Sequence, residues 1–350
     1  MPVKSNLNLL AFVLVSSCLC GAATAAQPLF ESDEPLSIVL ELPLRELARH
    51  AQKKPSVPGV LRYRDSGGTE VVLDVEVTSR GKFRLEECSM PPLSINFKKK
   101  QVESTLFSGQ KKLKLVTQCR GSGVYGRYLE QEFAIYKIYN LLTDHSFRAR
   151  MLEMTYRDTS GRADKVQPAF FIESVKAVAE RQGMTTIEAD VVNIAQLEPV
   201  QLSILTLFQF MIGNTDWSAR KGPGTESCCH NGKVVAPPGS DVGWVVLPYD
   251  FDQAGLINTR YSAPSDLLPI KSVRHRLYRG FCATNSQLES TVAVFNNQRA
   301  AIEGILANEP AKAADNKKAL RYIQSFYEIV NDPKKRQKKI VDACQGRAKP

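Results

Sequence analysis

Three polar groups in the second half of the chain are of types that could hold a metal ion and move a proton. The first is Asp216, which should lie in a loop because Gly213, just before it, is the residue type expected past a helix end. The second is Asn231, and the third is the pair Asp250 and Asp252 after an apolar strand. Phosphoryl transfer needs this layout: one Asp orients or deprotonates the acceptor hydroxyl, while an Asn and another Asp hold Mg²⁺ against nucleotide phosphates.

Each group also has a purely structural interpretation. Asp250 and Asp252 could cap a turn, where Asp is favoured. Asp216 could be the N-cap of a short helix at Trp217, and Asn231 followed by Gly is a turn signal. The three groups in combination favour chemistry, because separate loops on rigid elements would deliver all of them to one place.

Three short motifs carry a resemblance to a known family. They are Asn214-Thr215-Asp216 after an apolar helix, then His230-Asn231, then Asp250-Phe251-Asp252 at the end of a strand. In this order they resemble the CotH-type spore-coat kinase family, which has a protein-kinase-like fold. The chain is also similar to uncharacterised exported bacterial proteins that share Arg-Gly-Lys-Phe-Arg (80–84), Cys-x-x-Pro-Pro-Leu (88–93) and Pro-Tyr-Asp-Phe-Asp (248–252).

The resemblance implies a role for each residue. Asp216 would be the catalytic-loop acid, Asn231 and Asp250 would be metal ligands, and Asp252 would be an accessory acid at the metal. The implied cofactor is Mg²⁺ or Mn²⁺ with ATP, and the implied acceptor is an envelope or secreted protein.

The nucleotide-binding residues are harder to assign. The chain has no Gly-rich phosphate loop of the G-x-G-x-x-G kind, and it has Met90-Pro91-Pro92 where family members tend to have Lys. Lys114, in the middle of a predicted strand, is the best candidate for the nucleotide-binding lysine. Glu132 on the following helix could pair with it, and Glu130 is an equal contender by spacing.

Hydrophobic periodicity separates the chain into strand-like and helix-like segments, and these segments must position the polar groups. Residues 36–120 alternate as strands do, and a helical period follows over residues 128–142. Further helices are predicted over residues 200–212, 286–306 and 317–330. We therefore expect an α+β, protein-kinase-like two-lobed fold, with a β-rich N-terminal lobe containing one helix and a helical C-terminal lobe.

The predicted organisation has four parts. They are a signal peptide (1–26), the β-rich lobe (27–175), the helical lobe with the candidate catalytic and metal loops (176–330), and a basic, poorly packed tail (331–350). The signal has Lys4 in its n-region, an apolar segment from Leu7 to Val15, and the cleavage pattern Ala23-Thr24-Ala25. It predicts export to the bacterial periplasm or the extracellular space. In a second interpretation, Cys18 is the lipidated cysteine of a lipobox.

The cysteines agree with export. Removal of the signal leaves an even set, which in an exported chain predicts disulfides: Cys88, Cys119, Cys228, Cys229, Cys282 and Cys344. Cys88 and Cys119 are the first pair to expect, because each follows a strand-like segment in the same half. The adjacent Cys228 and Cys229 are too close together for a zinc site.

Composition and charge indicate which classes of binding partner to expect. The net charge is +10, with basic runs that are typical of solvated faces and could attract anionic envelope components. Aromatic residues do not interleave with these runs, so nucleic-acid binding is not expected. Beyond the signal, no segment approaches the ~20 apolar residues of a transmembrane helix.

Two functions compete. One is phosphoryl transfer from ATP, although ATP is scarce outside the cytoplasm. The alternative is a non-catalytic, pseudokinase-like binding or structural protein of the envelope. A hydrolase has weaker support, because the chain lacks the G-x-S-x-G and H-E-x-x-H motifs.

Overall fold

The computed structural model describes residue 1, residues 28–308 and residues 312–346. The predicted cleavage site and Cys18 lie outside these residues, so the structure bears on neither the signal peptide nor the lipid anchor.

Alternating apolar and polar residues in the first half of the chain form the strands of a barrel. In order along the chain these are β1 (Leu36–Leu42), β2 (Ser56–Arg64), β3 (Glu70–Ser79), β4 (Leu93–Phe97), β5 (Lys112–Thr117), β6 (Ala149–Asp158) and β7 (Lys165–Ile172). In β3, for example, Leu73, Val75 and Val77 are buried while Asp74 and Glu76 are exposed. The apolar set therefore fills the interior, as the period of two requires.

The barrel closes because both edges of β1 are paired. It pairs antiparallel with β2 and parallel with β6, and the strand order is β1-β2-β3-β4-β5-β7-β6. The chain is an α+β protein, but the predicted two-lobed protein-kinase-like fold is wrong, since a closed seven-stranded barrel stands where the β-rich lobe was expected. Periodicity identifies strands but not their partners, and contacts between distant segments decide whether a sheet closes.

Four helices are inserted among the barrel strands: α1 (Leu44–Arg49), α2 (Phe83–Glu87), α3 (Lys99–Val102) and α4 (Gly123–Leu142). The long α4 packs on the outside of β7, where the rings of Phe133 and Tyr136 lie 5.8 and 5.6 Å from that of Phe170. Its other face meets α6 (Pro199–Ile212), through Tyr139 and Phe208, whose ring centres are 4.4 Å apart. The helix α4 thus joins the barrel to the second half of the chain.

The second half surrounds α6, which is buried from Leu202 to Ile212. Its other elements are α5 (Val175–Arg181), β8 (Thr185–Ile187), β9 (Gly232–Ala236), β10 (Val245–Pro248), α7 (Leu288–Asn297), α8 (Arg299–Asn308), α9 (Ala313–Val330) and α10 (Pro333–Arg336). The strands form a small sheet in the order β10-β9-β8. One buried cluster includes Phe170 of the barrel, Phe208 of α6 and Phe326 of α9, so a domain division at residue 175 stays a prediction.

Two sequence predictions need correction here. The single helix expected over residues 286–306 is two helices, α7 and α8, separated at Gln298. The tail was expected to pack poorly unless Cys344 held it; most of its described residues are exposed, but Ile340 is fully buried and Cys344 is bonded to Cys282. An apolar residue and a covalent link therefore hold a segment whose basic composition alone suggested a solvated end.

The cysteines form three disulfides, as the sequence predicted in general. The pairs are Cys88–Cys119, Cys228–Cys229 and Cys282–Cys344, and the first is the pair expected from the sequence. Disulfides persist in oxidising compartments, so they are consistent with export. Within the described residues, no helix has the length and apolar character needed to cross a bilayer.

Candidate functional site

The end of α6 places Asp216. The helix terminates at Gly213, whose φ of 67° is left-handed and whose missing side chain leaves room for the Tyr322 hydroxyl, 1.9 Å from where a Cβ would lie. In the following loop, the backbone N–H of Asp216 donates to the side-chain oxygen of Asn214 at 2.9 Å. The turn is therefore specified by Gly213 and Asn214, and it projects a carboxylate that remains 45% exposed.

His230 and Asn231 hold that carboxylate. The Nε2 atom of His230 lies 2.7 Å from Oδ1 of Asp216, and Nδ2 of Asn231 donates to Oδ2 at 2.9 Å. Asn231 also donates to the backbone carbonyl of Asp216 at 2.7 Å. The hydrogen bond that Asp216 accepts raises the pKa of His230 despite partial burial of the ring. Asp216 is thus oriented by two side chains from one short segment, whereas the sequence suggested a metal-ligand role for Asn231 and none for His230.

The pH dependence of stability should reveal the His230–Asp216 contact. Because the pKa of His230 is raised in the folded protein, its contribution is complete below the ordinary histidine pKa of about 6.5 and disappears as pH rises through the folded value. We expect His230→Gln to lower the free energy of unfolding by about 0.5–1 kcal/mol at pH 5.5 and by less at pH 9. Urea denaturation across this range measures it. The exposed His50→Gln is the control, and a loss of equal size at both pH values would contradict the assignment.

The strand β10 delivers Asp250 and Asp252 to the same place. The backbone N–H of Tyr249 donates to the carbonyl of Asn231 at 3.1 Å, so the chain after β10 runs beside the residues that hold Asp216. Asp250 has a left-handed φ of 64°, and its N–H donates to the Tyr136 hydroxyl on α4 at 3.0 Å. Phe251 is fully buried between Tyr136 and Phe208. This anchor fixes the backbone that carries the two acids, which lie close enough that, after burial, Asp250 also raises the pKa of Asp252.

Asp252 and Glu132 are a buried pair of carboxyl groups. They are 6% and 2% exposed, and within the described part of the chain Oδ2 of Asp252 has no hydrogen-bond partner. Burial, together with the neighbouring acids, raises the pKa of both groups, although Arg84 lies close enough to oppose the shift. Tyr261 donates a hydrogen bond to the Asp252 carboxyl. A site of this kind binds either a proton or a cation readily, because two buried negative charges repel each other.

Lys114 faces the acids from the outside of the barrel. Its Nζ atom lies 4.2 Å from the centre of the Tyr249 ring, with the Asp250 carboxylate nearby. Burial, then the positive charges of Arg80 and Lys233, lowers the pKa of Lys114 to about 7. The predicted ion pair between Lys114 and Glu132 is not among those formed by the described residues, since Glu132 instead lies near Asp252 and the arginines. The alternative acid, Glu130, lies by Arg127.

The structure adds cationic residues to the site that sequence reasoning did not assign. Arg80 and the buried Arg84 both influence Glu132 and Asp250, and they are held by the carbonyls of Leu93 and Thr117 at 3.0 and 2.6 Å. The sequence feature that could have identified them is the Arg-Gly-Lys-Phe-Arg segment (80–84): Arg80 directly follows β3, and Arg84 lies in α2.

A third arginine supports the loop that carries Asp216. Arg279 donates to the backbone carbonyls of Thr215 and Trp217, the latter at 2.8 Å, and its guanidinium lies over the Trp217 ring. No local motif marks Arg279, so only the folded chain shows that it contributes to this loop.

A metal ion at this site would need ligands beyond the protein's own side chains. Among the residues that the structure describes, no three His, Cys, Asp or Glu side chains form a metal-binding group. Asp250, Asp252 and Asn231 would be the ligands that the sequence suggests, and Oδ2 of Asp252 has no hydrogen-bond partner among the described residues. Mg²⁺ is commonly held by one or two carboxylates, with phosphate and water completing its coordination.

Comparison with known proteins assigns no family. No protein-family model matches the chain, and no curated protein matches it. The resemblance to CotH-type kinases therefore rests on the three motifs, and the function must be argued from the site.

Proposed function

We propose that the chain is a metal-dependent phosphotransferase that moves a phosphoryl group from ATP to a hydroxyl of an envelope or secreted protein. The observation that carries the proposal is the position of Asp216, which is oriented by His230 and Asn231 beside the Asp250–Asp252 acids. The three CotH-type motifs favour the same chemistry, although the chain does not adopt the two-lobed fold that the resemblance implied.

Asp216 is the group suited to accept a proton. Its carboxylate is partly exposed, and both of its oxygens are held, so an acceptor hydroxyl can approach a fixed base. As the hydroxyl oxygen bonds to the transferred phosphorus, its proton passes to Asp216 and the nucleoside diphosphate departs.

The charged residues around Asp216 divide into two sets. Asn231, Asp250 and Asp252 are the oxygen donors for Mg²⁺ or Mn²⁺, which when bound would neutralise charge on the phosphates. Lys114, Arg80 and Arg84 are the cations for phosphate oxygens, with Glu132 among the arginines. A Gly-rich loop is not needed in this arrangement, because guanidinium groups bind phosphate directly.

The place of action follows from the predicted signal peptide and the disulfides. Export would bring the enzyme to envelope or secreted proteins, which are the acceptors we propose. Its nucleotide supply there would be limited, which favours tight nucleotide binding over rapid turnover.

A second candidate is a non-catalytic binding or structural protein of the envelope. The observation that favours it is the buried Glu132–Asp252 pair, which could retain a proton rather than a metal ion at neutral pH. In this case nucleotide would have no effect on the protein.

The mature protein, with Mn²⁺ or Mg²⁺ and labelled ATP, tests the proposal. We expect nucleotide to raise the melting temperature only when metal is present, and label to be transferred to the protein itself or to envelope extract. Asp250→Asn should abolish both effects without unfolding the chain, because Asn tolerates the left-handed φ of Asp250. The exposed Asp241→Asn is the matched control. A melting-temperature shift that metal causes and nucleotide does not change would support the non-catalytic alternative. No response to metal or to nucleotide would reject a metal ion in both candidate functions.

A further inference from the structure

A cavity of about 510 Å³ opens at one mouth of the barrel. It lies where β1 and β6 end and β7 begins, next to α1, and it shares no residue with the Asp216 site. Its volume is in the range of pockets that hold small organic molecules, which commonly lie at the mouths of β-barrels.

The charge of the lining is strongly positive. Four cationic side chains line it: Arg45, Arg120, Arg162 and Lys165. Arg120 is paired with Glu87, whereas the other three form no ion pair with any described residue. The one acid in the lining, Asp158, is engaged by backbone N–H groups of Ser160, Leu44 and Arg45. Its carboxylate stays ionised and offsets one of the four positive charges, so the lining remains net positive and the cavity favours an anion.

One residue of the lining, Tyr156, carries a buried hydroxyl. Tyr156 is 1% exposed, its ring belongs to the barrel core, and its hydroxyl oxygen has no hydrogen-bond partner among the described residues. Burying a hydroxyl without a hydrogen bond is unfavourable, and such groups in folded proteins commonly mark a site that another molecule completes. Tyr156 therefore offers a donor to a ligand that enters from the mouth.

The lining also has an apolar part. Leu44, Ala48, Met90 and Val166 surround the opening, and Val166 is exposed to 59% despite its place on a strand. An inorganic anion would leave this surface uncovered, whereas a ligand with a hydrocarbon or aromatic body would bury it.

We propose that this cavity binds a small organic anion with an apolar body, such as a carboxylate with a medium-length chain. The apolar body lies against Leu44, Met90 and Val166, the anionic group faces Lys165 and Arg162, and the Tyr156 hydroxyl donates to an oxygen of the ligand.

Isothermal titration calorimetry with decanoate tests the proposal on the mature protein. We expect binding with a Kd below 1 millimolar, at least tenfold weaker binding of neutral 1-decanol, and no comparable binding of inorganic phosphate. Equal affinity for decanol would overturn the role of the cations, and equal affinity for phosphate would overturn the role of the apolar lining. Failure of decanoate to bind would overturn the proposal as a whole.

Two variants locate the binding. Lys165→Glu should weaken decanoate binding about tenfold or more, whereas Lys99→Glu, an exposed reversal on α3, should leave it unchanged. Tyr156→Phe keeps the ring and should weaken binding about fivefold while the free protein remains as stable as the wild type or becomes more so. Asp216→Asn should leave decanoate binding unchanged, because the two sites share no residue. Wild-type affinity in both cavity variants would place the ligand elsewhere and reject the site.

Discussion

Asp216→Asn is expected to lower kcat for phosphoryl transfer about a thousandfold or more while leaving the affinity for metal-bound nucleotide nearly unchanged. The amide has the shape of the carboxylate but cannot accept the proton of the acceptor hydroxyl, and general-base catalysis typically contributes 10²–10⁴-fold. Affinity should persist because the phosphate-facing cations and the Asp250–Asp252 acids are untouched. Initial rates at saturating labelled ATP, with equilibrium nucleotide binding measured separately, distinguish the two parameters.

The controls must show whether a lower kcat in Asp216→Asn comes from loss of the proton-accepting group or from a distorted loop. Asp241→Asn makes the same chemical change at an exposed position away from the site and should not alter kcat. Thermal unfolding should show Asp216→Asn within about 1 kcal/mol of wild type, because His230 can still hydrogen-bond the amide oxygen. Unchanged kcat in a folded Asp216→Asn protein would remove Asp216 from the chemistry.

Asp252→Asn should have two opposite effects, a more stable free protein and the loss of metal-dependent nucleotide binding. In the folded chain, burial and neighbouring acids raise the pKa of Asp252 above its ordinary value of about 4. The folded protein then retains a proton that the unfolded chain has released, so stability falls as pH rises from about 4 through the raised value. A neutral amide avoids this loss, and its side-chain oxygen can still accept the hydrogen bond from Tyr261.

We expect Asp252→Asn to raise the free energy of unfolding by about 1–2 kcal/mol at pH 8 and to have little effect at pH 4. Glu132→Gln should show the same pH dependence, because it belongs to the same pair. Denaturant titrations at both pH values measure the gain, and the exposed Asp266→Asn is the control. If Asp252→Asn were less stable than wild type at pH 8, the Asp252 carboxylate would have a stabilising partner that the charges around it do not explain.

These two predictions describe a compromise between stability and function. Acids that are buried, close together and unpaired weaken the free protein at neutral pH, yet the same features suit them to bind a divalent cation. The stability gained in Asp252→Asn and the binding lost in the same variant would be two measurements of one electrostatic feature.

Much of the local structure could be predicted from the residues alone. The strand at Leu93–Phe97 and the helix ending at Gly213 followed from period and from terminal residue preferences, because both are set by neighbours in the chain. The pairing of Cys88 with Cys119 was also predicted correctly, although only Cys119 follows a strand, β5, while Cys88 follows α2. Export remains a prediction from the signal.

For the site, the sequence by itself indicated which residues in the segments after α6 and β10 should lie near one another. The loop acid Asp216, the amide Asn231 and the acids Asp250 and Asp252 were all found from their types, their order and their turn signals. Short loops on rigid elements give such residues few other places to lie, which is why motifs are informative here.

Only the tertiary structure decided the closure of the barrel and the partners of the charged side chains. Whether β1 pairs with β6 depends on contacts between segments far apart in the chain, and periodicity is silent on these. Burial likewise made Glu132 a partner of Asp252 rather than of Lys114, and it brought Arg80 and Arg84 to the acids. The free energy of a buried charge depends on all the groups that exclude water from it, and the folded chain alone assembles those groups.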